Sequence, residues 1–314
     1  MRAMQYPDYG AEPKLVDLPV PEPGPTEVRV RVSHTSVNPV DWKQASGKIR
    51  LVMPQPRPCV PGYDLSGIID AVGERVKSFT AGDRVHIRIP MSGAGANAEY
   101  AVVPADHAVR LPDTMDMVTA AALPLAGMTA LQGLRDVLQL DLDGDTRRVL
   151  VIGASGGVGH LAVQIAAAAG AEVVGVCSGR NADLVRSLGC RDVIDYTQPG
   201  CWAGVAPFDL VYDCVAGDPS PYLEYIKRGG AYASCMPGPA TFLHAANVFS
   251  GKRVRPVLLH GNAPDLATLD KLFAEGKLRA VIDRHFGLAE LPAAWAYSQS
   301  GRARGKIIID VATG

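Results

Sequence analysis

The chain has 314 residues, a formal net charge of −1 and 47% hydrophobic residues. This length is sufficient for two domains with buried cores. Acidic and basic residues are interspersed, which argues against a nucleic-acid groove or an anionic membrane surface as partner and favours a small molecule. The sequence contains no apolar run of the roughly 18 residues that a membrane span needs, and its start lacks the apolar core of a signal peptide. We therefore expect a cytoplasmic protein.

Six cysteines are present, and none forms a Cys-x-x-Cys pair or a disulfide-framework spacing; they are at positions 59, 177, 190, 201, 214 and 235. This pattern favours free buried thiols in a reducing compartment.

The first third of the chain has the pattern of a β domain. Thr26–Val32 alternates valines with polar residues, the period of a half-buried strand. Further short strand patterns, interrupted by glycines, follow at 60–73, 79–87 and 98–103. Together they predict a compact, barrel-like β domain.

From about residue 116 the pattern becomes helical, and it leads into a glycine-rich turn. The apolar run Val149–Ile152 is followed by Gly153, Gly156 and Gly159 and then by apolar residues at helical spacing. This order predicts a strand, a phosphate-binding turn and a helix, with the backbone N–H groups at the helix start holding the anion.

Strand patterns then alternate with helical spacers to the end of the chain; they fall at 171–177, 193–196, 208–215, 230–235 and 305–311. Such alternation predicts an α/β fold with a doubly wound parallel sheet of the Rossmann type.

The segment Cys177–Asn181 bears on the choice of dinucleotide. An NAD-binding protein places an acidic residue here, against the ribose 2′-hydroxyl, and this segment contains none. Ser178 and Arg180 are suited to a 2′-phosphate, which favours NADP(H). The alternative is that Arg180 is a solvated turn residue.

Several blocks occur in an order that resembles the medium-chain dehydrogenase/reductase superfamily, specifically its zinc-free quinone oxidoreductase and enone reductase branch. Besides the glycine turn, they are Ser36–Lys43, Val60–Gly67, Ala121–Ala130 and Ser300–Ile307. The resemblance implies a GroES-like β-rich barrel domain formed by residues 1–117 and 257–314, a Rossmann domain at 118–256, and a homodimer formed through the Rossmann domain.

The rival within this superfamily is a zinc alcohol dehydrogenase. Where zinc members carry a cysteine this chain has Asn38, and their Gly-His-Glu segment reads Gly62-Tyr63-Asp64. No cysteine is present at 90–97, where the lobe for structural zinc would follow. Catalytic zinc needs three protein ligands and an open position, so we expect no metal.

The resemblance also implies roles for individual residues. Asn38 would lie near the nicotinamide ribose, and Lys43 would reach the ribose and the substrate carbonyl, where a cation stabilises a developing oxyanion. Tyr63 would line the cleft as a donor. The alternatives are a surface lysine and a structural tyrosine.

The predicted cofactor contacts fall into three groups. Those at the pyrophosphate are Ser155, Gly156, Gly157 and Val158, and those at the 2′-phosphate are Ser178, Arg180 and Tyr196. The resemblance implies that Gly217 and Leu258 pass the ribose and the nicotinamide.

These features predict an enzyme that transfers a hydride from NADPH to a quinone or an α,β-unsaturated carbonyl without zinc. Loops around 42–57, 90–97 and 239–252 would form the acceptor pocket. Two alternatives stay open: an enoyl reductase of a biosynthetic pathway, and a non-enzymatic NADPH-binding structural protein.

Overall fold

The computed structural model describes residues 1–90, 95–215, 217–246 and 251–311. Residues 91–94 and 247–250 of the predicted acceptor loops lie outside this part. The strands are β1 (Arg2–Gln5), β2 (Lys14–Asp17), β3 (Glu27–Ser36), β4 (Asp64–Val72), β5 (Arg84–Arg88), β6 (Tyr100–Pro104), β7 (Ala108–Arg110), β8 (Arg148–Ile152), β9 (Glu172–Cys177), β10 (Asp192–Asp195), β11 (Phe208–Asp213), β12 (Ile226–Ser234), β13 (Arg253–Pro256), β14 (Ile282–Gly287) and β15 (Lys306–Asp310).

The α-helices are α1 (Pro39–Ala45), α2 (Met117–Ala122), α3 (Pro124–Gln132), α4 (Gly159–Ala168), α5 (Ala182–Ser187), α6 (Pro239–Ala246), α7 (Ala263–Ala274) and α8 (Leu291–Gln299). Among the described residues, no helix is both long and apolar enough to span a bilayer.

The chain forms two compact units. The N-terminal unit comprises residues 1–125, 261–274 and 280–314, and the central unit comprises 126–260 and 275–279. The boundaries therefore differ from the predicted divisions at 117/118 and 256/257. Two hydrogen bonds explain the first difference, because Ser66 Oγ donates to the carbonyl of Met117 and the N–H of Leu125 donates to Asp64 Oδ1. They attach α2 and the start of α3 to β4.

The N-terminal unit contains a seven-stranded sheet in the order β14-β15-β3-β4-β5-β7, with β6 paired to β3. Val28, Val30 and Val32 of β3 are buried while Arg31 between them is exposed. This alternation confirms the period-2 prediction for this segment, because successive side chains of a strand point to opposite faces. The valines pack in an apolar core with residues from β4, β5, β6 and β15.

The central unit contains a six-stranded sheet in the order β10-β9-β8-β11-β12-β13, and every pair of neighbours is parallel. From β8 the chain first builds outward through β9 and β10, and it then returns to the other side of β8 for β11, β12 and β13. The strand order reverses between β8 and β11, which is where open α/β sheets bind their ligands. The predicted Rossmann sheet is confirmed.

All six cysteines have free thiols. Three are buried as predicted, namely Cys59, Cys177 and Cys190. Cys201, Cys214 and Cys235 are only half-buried, because they lie in or next to the segments that follow strands rather than inside the sheet.

Candidate functional site

The glycine turn between β8 and α4 depends on two close approaches of the backbone. Gly153 has a φ of +75°, in the left-handed region that side chains other than glycine rarely adopt. A Cβ atom on Gly159 would lie 2.1 Å from the carbonyl oxygen of Gly153. Glycine at these two positions therefore lets α4 begin directly against the end of β8.

The turn presents backbone donors with no internal acceptor. Within the part of the chain that the structure describes, the N–H groups of Ser155, Gly157 and Val158 make no backbone or side-chain hydrogen bond. They immediately precede the ten-residue helix α4. Unpaired N–H groups at a helix start bind anions, so these three predicted residues fit the pyrophosphate of a dinucleotide.

Asn181 links the turn to the end of β9, a contact that sequence reasoning missed. Its Nδ2 donates to Ser155 Oγ over 3.0 Å and approaches Ser178 Oγ at 3.4 Å. Its Oδ1 is buried without a hydrogen-bond partner. A buried amide oxygen of this kind is suited to accept from a ribose hydroxyl.

The predicted 2′-phosphate residues lie at the carboxyl ends of β9 and β10. Arg180 is exposed and makes no hydrogen bond or ion pair among the described residues, and Tyr196 is 63% exposed. The N–H of Tyr196 donates to the carbonyl of Cys177, so the two strand ends are adjacent.

The structure corrects one inference about this region. No acidic residue follows β9 in the sequence, but Asp195 at the end of β10 is paired with Cys177 in the sheet. A Cβ on Gly179 would lie 2.4 Å from Asp195 Oδ2. The hydroxyl and N–H of Thr197, with further bonds from Gln198 and Gly179, lower the pKa of Asp195. An acidic residue is thus present here, but its carboxylate is hydrogen-bonded mainly to the turn that follows β10.

Gly217 and Leu258 follow β11 and β13 at the same edge of the sheet. Gly217 has a φ of +69°, and its N–H donates to Asp213 Oδ2. Leu258 is 64% exposed. Gln132 holds the segment beside it, because its amide both donates to the carbonyl of His260 and accepts from the N–H of His260. The predicted cofactor residues of the central unit therefore all follow strands of one parallel sheet.

A buried polar cluster occupies the N-terminal unit at the start of β4. The Oδ2 atom of Asp64 accepts from Ser36 Oγ at 2.7 Å and from Asn38 Nδ2 at 2.8 Å, and it lies 3.5 Å from Lys306 Nζ. Lys306 also donates to Asn38 Oδ1 at 2.6 Å. Both ends of the Asn38 amide are thus bonded within the protein, and its predicted ribose contact stays a prediction.

Burial displaces the pKa values in this cluster. It lowers the pKa of Lys306 and raises the pKa of Asp41 to about 8. Asp41 Oδ2 accepts from the N–H of Asn38 at the start of α1, whereas Asp41 Oδ1 is buried without a partner. The carboxyl group of Asp41 is therefore mainly protonated at neutral pH.

Tyr63 and Lys43 lie beside this cluster. Tyr63 is buried, donates its hydroxyl to Gln44 Oε1 and accepts from Gln55 Nε2. Burial raises the pKa of Tyr63. Lys43 is half-buried on α1, with Nζ 5.5 Å from the centroid of the Trp42 ring. Lys43 directly precedes Gln44, the hydrogen-bond partner of Tyr63, on α1.

Arg88, at the end of β5, is a further buried charge that sequence reasoning missed. Its guanidinium carbon lies 5.4 Å from the centroid of the Tyr63 ring. Burial lowers the pKa of Arg88. The predicted strand pattern at 79–87 ended one residue before Arg88, and burial of an arginine depends on contacts with residues distant in sequence.

The residues at the zinc-ligand positions do not form a metal-ligand set. Asn38 supplies an amide and Tyr63 a phenol, and Asp64 lies beside the Lys306 ammonium. Among the residues that the structure describes, no group of three or more His, Cys, Asp and Glu side chains is arranged to hold a metal ion.

Comparisons with known proteins agree with this architecture. Residues 24–113 match the family described as alcohol dehydrogenase GroES-like domain, and residues 188–309 match the family described as zinc-binding dehydrogenase. The chain is 40% identical to the chloroplast envelope quinone oxidoreductase homolog of Arabidopsis thaliana, over 99% of this chain and 98% of that protein. It is 32% identical to 2-methylene-furan-3-one reductase of Solanum lycopersicum, over 98% of this chain and 79% of that protein.

Among solved structures, the quinone oxidoreductase from Coxiella burnetii matches with a TM-score of 0.89 and 30% identity, over 99% of both chains. The chain belongs to the medium-chain dehydrogenase/reductase superfamily. Within it, the chain is a member of the quinone and enone oxidoreductase branch.

The displaced pKa of Asp41 predicts a pH-dependent stability. Because its native pKa of about 8 exceeds the ordinary value of 3.8, folding favours the protonated carboxyl. This contribution is complete below about pH 4 and is lost as the pH rises to about 8, at a total cost on the order of 6 kcal/mol, of which about 4 kcal/mol falls between pH 5 and pH 8. Asp41→Asn keeps an oxygen that can accept from the N–H of Asn38 but cannot titrate.

Thermal unfolding at pH 5 and pH 8 measures this effect. The melting temperature of the wild type should fall between these pH values by about 4–8 °C more than that of Asp41→Asn. All other groups titrate alike in both proteins, so the difference isolates Asp41. Parallel pH profiles would show that Asp41 is ionised in the native protein.

Proposed function

We propose that this protein is an NADPH-dependent reductase that transfers a hydride to a quinone or an α,β-unsaturated carbonyl compound without a metal ion. The observation that carries the proposal is the open glycine turn of Ser155, Gly157 and Val158 at the point where the strand order reverses. The names of the relatives, quinone oxidoreductases and alkenal/one oxidoreductase among them, support the acceptor class.

The preference for NADPH over NADH rests on charge at the ends of β9 and β10. Arg180 is exposed and makes no hydrogen bond or ion pair among the described residues, and Tyr196 has an exposed ring directly after the neighbouring strand β10. The negative charge of Asp195 would repel a 2′-phosphate, but the carboxylate oxygens already accept hydrogen bonds from Thr197 and Gln198. We infer that the guanidinium of Arg180 determines the preference.

Chemistry without a metal is supported by the cluster around Asp64. The amide of Asn38 and the carboxylate of Asp64 are saturated by each other and by Lys306. A metal ion would have to displace this ammonium and break these hydrogen bonds. The acceptors of the proposed class are already electrophilic, so they do not need the Lewis acid that alcohol oxidation requires.

Bound NADPH would supply a hydride from C4 of its nicotinamide. The protein would hold the acceptor in contact with the cofactor and stabilise the negative charge that develops on the acceptor oxygen. We assign this stabilisation to the ammonium of Lys43. Tyr63 keeps its proton at neutral pH because burial raises its pKa, but its hydroxyl already donates to Gln44. Tyr63 is therefore better suited to position Gln44 than to supply a proton.

Steady-state oxidation of NADPH with a panel of quinones, enals and enones tests the activity. The wild type should reduce at least one acceptor class, and Lys43→Met should lower kcat by about 10- to 100-fold with little change in the dissociation constant of NADPH. Lys77→Met, which removes an exposed lysine of the same unit outside the predicted acceptor loops, is the matched control. Unchanged turnover in Lys43→Met would reject its role. Tight NADPH binding without turnover of any acceptor would favour the non-enzymatic alternative.

Dissociation constants for NADPH and NADH test the cofactor assignment. Arg180→Ala should weaken NADPH binding by about 10- to 100-fold, the value of a lost charge-assisted hydrogen bond, and leave NADH binding nearly unchanged. The control is Arg186→Ala, since Arg186 is an exposed arginine on α5 that pairs with Asp183. The assignment would be overturned if the ratio of the dissociation constants for NADPH and NADH were the same in the wild type and in Arg180→Ala.

A further inference from the structure

Four buried ionisable side chains surround the start of β4, and among the described residues one of them has no hydrogen-bond or ion-pair partner. Asp64 and Lys306 lie 3.5 Å apart, and both make further hydrogen bonds. Asp41 accepts from the N–H of Asn38. Arg88 makes no hydrogen bond or ion pair among the described residues, although only 5% of its surface is exposed.

The position of Arg88 in the sheet makes the lack of an ion pair unexpected. In the antiparallel pair of β4 and β5, Arg88 is directly opposite Asp64. Such pairs place both side chains on the same face of the sheet, at a distance where opposite charges usually meet. Asp64 instead uses Oδ2 for Ser36, Asn38 and Lys306 and uses Oδ1 for the N–H of Leu125. Both oxygens of Asp64 are thus bonded to groups other than Arg88.

The charges of the cluster leave Arg88 uncompensated. The carboxylate of Asp64 is paired with the ammonium of Lys306. Asp41 is mainly uncharged at neutral pH, because burial raises its pKa to about 8. A buried cation without a contacting anion is costly, and proteins normally pair it. The cluster therefore needs one further negative charge to balance the guanidinium of Arg88.

The surroundings of Arg88 favour an anion that binds in the plane of the guanidinium. The guanidinium carbon lies over the ring of Tyr63, 5.4 Å from the ring centroid. Nε, which points in the plane, is buried and unpartnered. A Cβ on Gly261 would lie 3.0 Å from Arg88 Cδ and 3.3 Å from Nη1, so the chain passes close to the side chain only because residue 261 is glycine.

We propose that Arg88 binds a carboxylate, and that the acceptors of this enzyme include activated alkenes or quinones carrying a carboxylate group. Carboxylates match the planar fork of arginine with two parallel hydrogen bonds, which a ketone oxygen cannot provide. The anion would accept from Nε and an adjacent Nη. The substrate class rests on the proposed function, whereas the carboxylate site itself does not.

Binding is tested first, with benzoate as the probe and uncharged benzamide as its matched analogue, at constant ionic strength. Benzoate should raise the melting temperature of the wild type, and benzamide should not. Arg88→Met should lose the benzoate effect. Arg75→Met, which removes an exposed arginine of the same unit, should keep it. If benzoate stabilises the wild type no more than benzamide does, the carboxylate site is rejected.

Turnover is tested with 3-benzoylacrylate and its methyl ester, which share one enone and differ in charge. The ratio of kcat/KM for acid over ester should fall by about 10-fold or more in Arg88→Met and should be unchanged in Arg75→Met. If Arg88 had only a structural role, kcat/KM for the acid and kcat/KM for the ester would fall together. If Arg88→Met does not fold, Arg88→Lys decides, because it keeps the charge but loses the fork and should lower the same ratio. An unchanged ratio would overturn the proposed substrate class.

The two tests separate this inference from the proposed function. Benzoate binding that depends on Arg88, without reduction of any acceptor, would support the site and contradict the reductase. Reduction of neutral acceptors without a benzoate effect would support the reductase and contradict the site.

Discussion

The carboxylate of Asp64 is the interaction on which the candidate site of the N-terminal unit depends. It collects donors from the end of β3, from the residue before α1, from the start of α3 and from β15. The last two segments are far from the first two in sequence, and a buried carboxylate that is bonded in this way fixes their relative positions. The same hydrogen bonds occupy the groups at the zinc-ligand positions. One carboxylate therefore explains both how the unit is assembled and why we assign it chemistry without a metal.

The central unit is organised by a different constraint, the contact between Gly159 and the carbonyl of Gly153. Because α4 begins against the end of β8, the N–H groups of the turn point away from the protein's own acceptors. Without a ligand, these N–H groups remain without hydrogen bonds. When a phosphate binds, they are already oriented to donate to it. We therefore assign the proposed cofactor site to the central unit, whereas the N-terminal unit contains the buried charges.

Local patterns were sufficient to predict the glycine turn, the parallel sheet and the alternating strand β3. Each depends on residues that are close in sequence, through backbone sterics or hydrophobic periodicity. The buried charges could not be predicted. Lys306 and Asn38 are separated by 268 positions, and nothing in the segment of either residue indicates the other. Asn181 and Asp195 were missed for a related reason, since their importance arises from the pairing of neighbouring strands. Arg88 was missed because arginine is usually exposed.

The central claim is that the protein transfers hydride from NADPH to an activated carbonyl compound without a metal. The most direct test uses NADPH dideuterated at C4, an enone acceptor and protein dialysed against a chelator, with mass spectrometry of the product. The account predicts a saturated ketone with one deuterium at the β-carbon, formed at the rate of untreated protein after correction for the isotope effect. A product without deuterium, or activity that returns only when zinc is added, would contradict it.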